Sequence, residues 1–174
     1  YSMIVLQVIW AIAFGMLFLS AIIYLPNRII LMLGLAIVCF HNLLDFIVVN
    51  GQSMESILWY FLHQQAIVEI SESTRIIFGY PIIPWIGLMA IGYVLGSLFI
   101  NCQPKERRSL LLKYSCYSIG LFVLLRCLDF YGEPNLLSIQ NSLTLTVMDF
   151  FNTTKYPPSL LYILMTIGPS LLVL

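Results

Sequence analysis

Asn152-Thr153-Thr154-Lys155-Tyr156-Pro157-Pro158-Ser159-Leu160-Leu161 leads into an uncharged apolar run that reaches Leu174. Two consecutive prolines supply no N–H and hold φ near the helical value, so they fit the first turn of a helix, and a helix is expected to start at Pro157. Lys155 and Tyr156 then stand where that helix would enter a bilayer, placing an ammonium and a phenol at its rim. Tyr80-Pro81-Ile82-Ile83-Pro84-Trp85 has the same design and leads into the apolar run Ile86 to Ile100.

Composition fixes the solvent. The chain has 174 residues, of which 60% are hydrophobic and only 9% charged, and its mean hydropathy is +0.96. Those values lie outside the range of a water-soluble domain and define a polytopic membrane protein. Eight basic and eight acidic residues give a formal charge of +0, so no electrostatic pull toward nucleic acid exists. The four cysteines form no C-x-x-C pair, and they read as small buried hydrophobes with no metal or disulfide role. Tyr1 is no initiator methionine and Leu174 ends an apolar run without a polar flank. The chain is therefore read as one membrane-embedded domain, residues 1 to 174, truncated at both ends.

A spanning helix needs about 20 mostly apolar residues. Five windows approach that: Met3 to Leu25, Ile29 to Val49, Ile82 to Asn101, Leu110 to Tyr131, and the run from Pro157. The expected fold class is thus all-α, a transmembrane helix bundle with about five spans. Arg28 lies in the first turnaround, and Lys105, Arg107, Arg108 and Lys113 lie between the third and fourth spans. Basic residues in short loops favour the cytoplasm, which puts Asn50 to Tyr80 and Gly132 to Tyr156 outside. Short interfacial helices are expected there, at Ser56 to His63 and around Leu143 to Phe151. Gly92 and Gly96 form a G-x-x-x-G spacing that admits a close helix neighbour, and Gly168-Pro169 is expected to kink the fifth helix.

Ionisable residues inside a membrane are costly, so each needs a reason. At about 1.5 Å per residue from Arg28, His41 lies roughly 20 Å and Asp45 roughly 25 Å along the second helix, four apart on one face. Counted from Ser109, Arg126 and Asp129 reach roughly 25 and 30 Å along the fourth. The outer leaflet thus gathers His41, Asp45, Arg126 and Asp129, with Lys155, Tyr156, Tyr80 and Trp85 at the same boundary. One reading is an outward polar pocket: Asp45 orients the His41 ring for acid or base work, and Arg126 or Lys155 binds an anion or polarises a carbonyl. The other is a structural tie of Arg126 to Asp45 or Asp129, with Lys155, Tyr156 and Trp85 as interfacial anchors. His63 has no obvious partner and reads as a surface histidine. Glu69, Glu72 and Arg75 read as a solvated cluster.

The order His41-Asn-Leu-Leu-Asp45, Tyr80-Pro-Ile-Ile-Pro-Trp-Ile-Gly-Leu-Met-Ala-Ile-Gly-Tyr93, Leu125-Arg-Cys-Leu-Asp-Phe-Tyr-Gly-Glu-Pro134 and Asn152-Thr-Thr-Lys-Tyr-Pro-Pro-Ser-Leu-Leu161 resembles a bacterial membrane-protein family. That family is related to the catalytic domain of heparan-α-glucosaminide N-acetyltransferase. The resemblance covers essentially the whole chain, and its last block is the most specific. It implies a bundle of about ten helices in the bacterial cytoplasmic membrane, of which this chain is the middle and later part, with the remaining helices and the lipid bilayer as partners. It further implies transfer of an acetyl or other acyl group from acetyl-CoA on the cytoplasmic side to an outer acceptor such as a glycan. Related acyltransferases place a lysine just before the corresponding helix, where Lys155 stands. The family's catalytic histidine, in an Asp-His motif, would precede Tyr1, so the chain alone is expected to be inactive. Catalytic candidates are His41, Asp45 and Lys155; substrate-binding candidates are Arg126, Asp129, Tyr80, Trp85 and Tyr156; a homo-oligomer is allowed. The rival reading is a transporter or flippase that binds a solute in the same polar pocket.

Overall fold

The computed structural model describes residues 2–174, which fall into two compact units, one ending at Leu95 and one running from Gly96 to Leu174. In the first unit, strand β1 (Ser2–Leu6) precedes helix α1 (Val8–Ile22), and helix α2 (Asn27–Phe40) runs straight into a 3-10 segment, His41–Phe46. Helix α3 (Met54–Leu62), strands β2 (Ala66–Ser71) and β3 (Thr74–Phe78) and helix α4 (Ile83–Asn101) follow, with α4 carrying the boundary between the units.

Among the described residues, three helical segments are long and apolar enough to cross a membrane: Asn27–Phe46, Ile83–Asn101 and Pro104–Leu128. Helices α1 and Leu160–Val173 are apolar but shorter. The expected window from Met3 is therefore shorter than read, because Ser2–Leu6 is extended and pairs in parallel with β3, Ile4 opposite Ile76.

That three-stranded sheet, in the order β1-β3-β2, is the main departure from an all-helical chain. Its cause is local. Ile67, Val68, Ile70, Ile76 and Ile77 are β-branched, the side chains that pack best on a pleated surface, and Glu72-Ser73 turns β2 back antiparallel onto β3. The face carrying Val68 and Phe78 is buried against Tyr60 of α3, with Leu6, Val49, Ile57 and Phe61 around it. The sheet and α3 thus share one small apolar core. On the opposite face Glu69 and Arg75 pair at 2.6 Å in solvent, and an exposed pair of this kind adds at most about 1 kcal/mol.

Helices α2 and α4 touch through glycines. A Cβ on Gly34 would stand 2.9 Å from the Gly87 carbonyl oxygen, and one on Gly87 would stand 2.8 Å from Ile37 Cγ2. Gly92 and Gly96, the expected close-contact pair, have no atom within 4 Å of a built Cβ. The close approach therefore lies earlier on α4, at Gly87. Gly34→Leu meets backbone that cannot step aside, and it is expected to lower stability by about 1–3 kcal/mol or more, measured as a fall in the unfolding midpoint in detergent.

In the second unit, helix α5 (Pro104–Leu128) starts with Pro104 in its first turn, so Lys105, Arg107 and Arg108 belong to the helix itself. A short helix α6 (Leu143–Phe150) and helix α7 (Leu160–Val173) complete it. Helix α7 packs along α5, where Ser115 Oγ donates to the Gly168 carbonyl at 2.6 Å and a Cβ on Gly168 would lie 2.7 Å from Ile119 Cγ1. The expected helix start at Pro157 is corrected. Ser159 is the N-cap, its hydroxyl accepting from Tyr162 N–H at 3.0 Å, and Pro157 and Pro158 form the turn before it. The reason is that a serine oxygen can satisfy a first-turn N–H, which neither proline can do.

Candidate functional site

The sequence candidates divide between the two units. In the first, the chain leaves α2 by tightening into 3-10 geometry, where residues three apart are aligned rather than residues four apart. Asn42 Nδ2 therefore donates to Asp45 Oδ2 at 2.8 Å. The expected orientation of His41 by Asp45 is corrected by the same fact. His41 is buried, and its Nδ1 lies 2.9 Å from the Val38 carbonyl and 3.2 Å from that of Ile37. Carbonyls only accept, so the His41 ring donates from Nδ1 to its own helix end.

Asp45 has a different histidine. His63 Nε2 lies 2.8 Å from Asp45 Oδ1. Three contacts bring them together across 18 residues. Trp59 Nε1 donates to the Ile47 carbonyl at 2.9 Å, Tyr60 Oη donates to the Gly51 carbonyl at 3.0 Å, and the Gln64 amide both accepts from Val49 N–H and donates to Val49 C=O. These bonds lay residues 47–51 against α3, and Asp45 arrives beside the last turn. His63, read from sequence as a surface residue, is only 2% exposed. Because a carboxylate only accepts, the neutral His63 ring carries its proton on Nε2 and a lone pair on Nδ1. Among the described residues that Nδ1 is buried without a hydrogen-bond partner.

Trp85 stands in the first turn of α4, its ring 5.9 Å from that of Tyr80. Its indole N–H is likewise buried and unpartnered among the described residues. A buried polar atom left unpaired costs about 1–3 kcal/mol, so two in one small unit need an explanation. Two further bonds set their surroundings: Ile82 N–H donates to Phe61 C=O at 3.1 Å, and Gln65 Nε2 donates to Gly79 C=O at 2.9 Å. They bracket His63 and lay it along Gly79–Ile82, just ahead of Trp85.

In the second unit, Arg126 is 1% exposed. Its Nε donates to Phe150 C=O at 3.1 Å, Nη1 to Asn135 C=O at 2.9 Å, and Nη2 to Asp149 C=O at 2.7 Å and Asn152 C=O at 3.4 Å. Asp129 lies 3.6 Å away and caps α5 in a left-handed conformation, φ 50°, while its Oδ2 accepts from Leu137 N–H at 2.7 Å. The guanidinium thus binds the end of α6 and the strap before it to the end of α5. Asp149 is held below the usual carboxylate range chiefly by the Ser138 backbone N–H, which outweighs the opposing effect of burial, with the Ser138 hydroxyl and the charge of Arg126 adding to it.

Glu133 carries out an anchoring role that its sequence context does not announce. Its carboxylate accepts from Thr154 N–H at 2.9 Å, from the Ser159 hydroxyl at 2.7 Å and from the Thr154 hydroxyl. Gly132, at φ 93°, gives its carbonyl to Leu161 N–H at 3.0 Å, and a side chain there would be strained. These bonds fix the Thr154–Ser159 turn on both sides. Lys155 is exposed on that turn, bridged through its backbone to Pro158, with Nζ 5.1 Å from the centre of the Tyr156 ring.

Among the described residues no three His, Cys, Asp or Glu side chains converge as metal ligands. Chemically, the first unit offers a carboxylate-oriented imidazole with a free lone pair, and the second offers an exposed ammonium on a rigid turn. Comparison of the chain with protein-family models, with curated proteins and with solved structures gives no match.

Proposed function

We propose that this chain is part of a multi-pass acyltransferase of the bacterial cytoplasmic membrane, in the family related to the heparan-α-glucosaminide N-acetyltransferase catalytic domain. Helices α1 and α7 count as spans in this reading, making about five. The enzyme moves an acetyl or other acyl group from a cytoplasmic CoA thioester to an extracytoplasmic acceptor such as a glycan. The observation that carries the reading is the Asp45–His63 pair. A carboxylate 2.8 Å from one ring nitrogen leaves the other as a proton acceptor, which is the arrangement acyl transfer needs to activate a hydroxyl or amine. Asp45 serves as the orienting group, and His63 takes the role first read for His41.

Full-length protein in nanodiscs, given radiolabelled acetyl-CoA and extracted cell-envelope glycans, is expected to place label covalently on glycan. In proteoliposomes, accumulation of an unmodified labelled solute without any acyl transfer would overturn this reading in favour of transport.

A further inference from the structure

Helices α5 and α7 run antiparallel. Ser115 of α5 bonds Gly168 of α7, and the start of α5 meets the end of α7, where a cavity of about 330 Å³ lies between them. That volume falls within the range of about 300–1,000 Å³ typical of small-molecule sites. Arg107 and Arg108 line the cavity, together with Leu111, Leu112, Leu171 and Leu172. Leu111 stands four residues after Arg107 and Leu112 four after Arg108, so each arginine has a leucine one turn, about 5.4 Å, further along the same helix face. Leu111 and Leu171 are buried. The cavity is thus charged at the start of α5 and apolar toward the middle of the helix pair.

Neither arginine is neutralised by the protein. Among the described residues no carboxylate pairs with either guanidinium, and neither side chain donates a hydrogen bond. Arg107 is steadied by Phe99, whose ring centre lies 4.7 Å from the guanidinium carbon; this contact engages the charge and leaves the N–H groups open. Basic residues between spans favour the cytoplasmic side, which sets the charged end of the cavity at the inner headgroup level. A topology signal needs charge alone. It does not need a cavity with an apolar wall one turn beneath the charge.

We propose that this cavity binds an anionic phospholipid of the inner leaflet, with the phosphate on Arg107 and Arg108 and an acyl chain along the four leucines. Basic pockets between spanning helices on the cytoplasmic side suit such headgroups. The guanidinium fork matches the geometry of phosphate oxygens. The leucines decide between a lipid and a soluble phosphate ester, because hydrocarbon laid on them removes apolar surface from water and a sugar phosphate does not. A zwitterionic lipid fits less well, since its ammonium meets two like charges. The proposal uses residues of the second unit only and does not depend on the acyl-transfer reading.

The test is native mass spectrometry of the full-length protein in detergent, offered phosphatidylglycerol and phosphatidylcholine with identical acyl chains. The unaltered protein is expected to retain phosphatidylglycerol in preference. The double variant Arg107→Gln, Arg108→Gln is expected to lower that preference about thirtyfold, roughly fivefold for each basic residue removed from an anionic surface. Leu112→Trp keeps both charges and fills part of the cavity, and it is expected to lower retention as well. Arg75→Gln, in the exposed pair with Glu69, is expected to change nothing. Equal retention of the two lipids by the unaltered protein overturns the proposal, as does an unchanged preference in the double variant. Displacement of the lipid by glycerol 3-phosphate or free CoA also overturns it, and assigns the arginines to a soluble phosphate. Should the double variant fail to fold or insert, retention unaffected by Leu112→Trp overturns the proposal on its own.

Discussion

Replacing Arg126 with methionine is expected to cost about 3–5 kcal/mol and to release the 130–155 strap from α5, because it removes one member of a buried polar network. The guanidinium serves the carbonyls of Asn135, Asp149, Phe150 and Asn152 simultaneously and lies beside Asp129. Methionine matches its length and apolar stem but leaves those acceptors without a donor, at about 1–3 kcal/mol for each one that water does not reach. Lysine is not a conservative substitute, since its three donors radiate from one point and cannot span a planar fork. A lower unfolding midpoint in detergent, together with new protease cleavage between residues 130 and 155, would be the signature. An unchanged midpoint for Arg126→Met would show that the strap is held by other contacts.

The largest expected effect on activity is at the Asp45–His63 pair. His63→Gln keeps a side chain of similar reach but removes the basic nitrogen, and loss of a general base lowers turnover by about 10²–10⁴-fold. Asp45→Asn tests the same idea through the partner. An amide can donate toward the ring as readily as accept from it, which favours the wrong tautomer and takes the lone pair away from Nδ1. Both variants are expected to lower kcat with little change in KM for acetyl-CoA, because neither residue is assigned to donor binding. A change confined to KM would move the pair out of the chemical step.

What the sequence made legible was what long-range hydropathy controls. The windows from Ile29, Ile82 and Leu110 correspond to the segments Asn27–Phe46, Ile83–Asn101 and Pro104–Leu128. The short outer helices expected at Ser56 to His63 and Leu143 to Phe151 correspond to α3 and α6. The failures come from geometry that hydropathy does not encode. Reading His41 to Asp45 as α-helix put residues four apart on one face, whereas the 3-10 turn aligns Asn42 with Asp45 and frees the carboxylate for another partner. His63 looked solvated because its partner Asp45 was assigned to the His41 face and the sheet that packs on α3 was not recognised. The β-branched residues clustered on either side of Glu72-Ser73 were the signal that could have shown it.

The polar candidates also behave differently from one another. Arg126 and Asp129 are engaged in holding backbone, as Glu133 is beneath the Thr154–Ser159 turn. In the first unit the hydrogen bonds stop short of saturation, leaving an imidazole nitrogen and an indole N–H. Proteins satisfy nearly all buried polar groups, so these two atoms set the first unit apart from the second.

The measurement that bears most directly on this account is the rate of label transfer from radiolabelled acetyl-CoA to glycan by the full-length protein in nanodiscs, run side by side for the unaltered chain and His63→Gln, with folding checked by the unfolding midpoint. The account predicts transfer by the former and a fall of at least about a hundredfold in the latter at an unchanged midpoint. Transfer by His63→Gln at the unaltered rate would contradict it, because the buried imidazole beside Asp45 would then have no part in the chemistry.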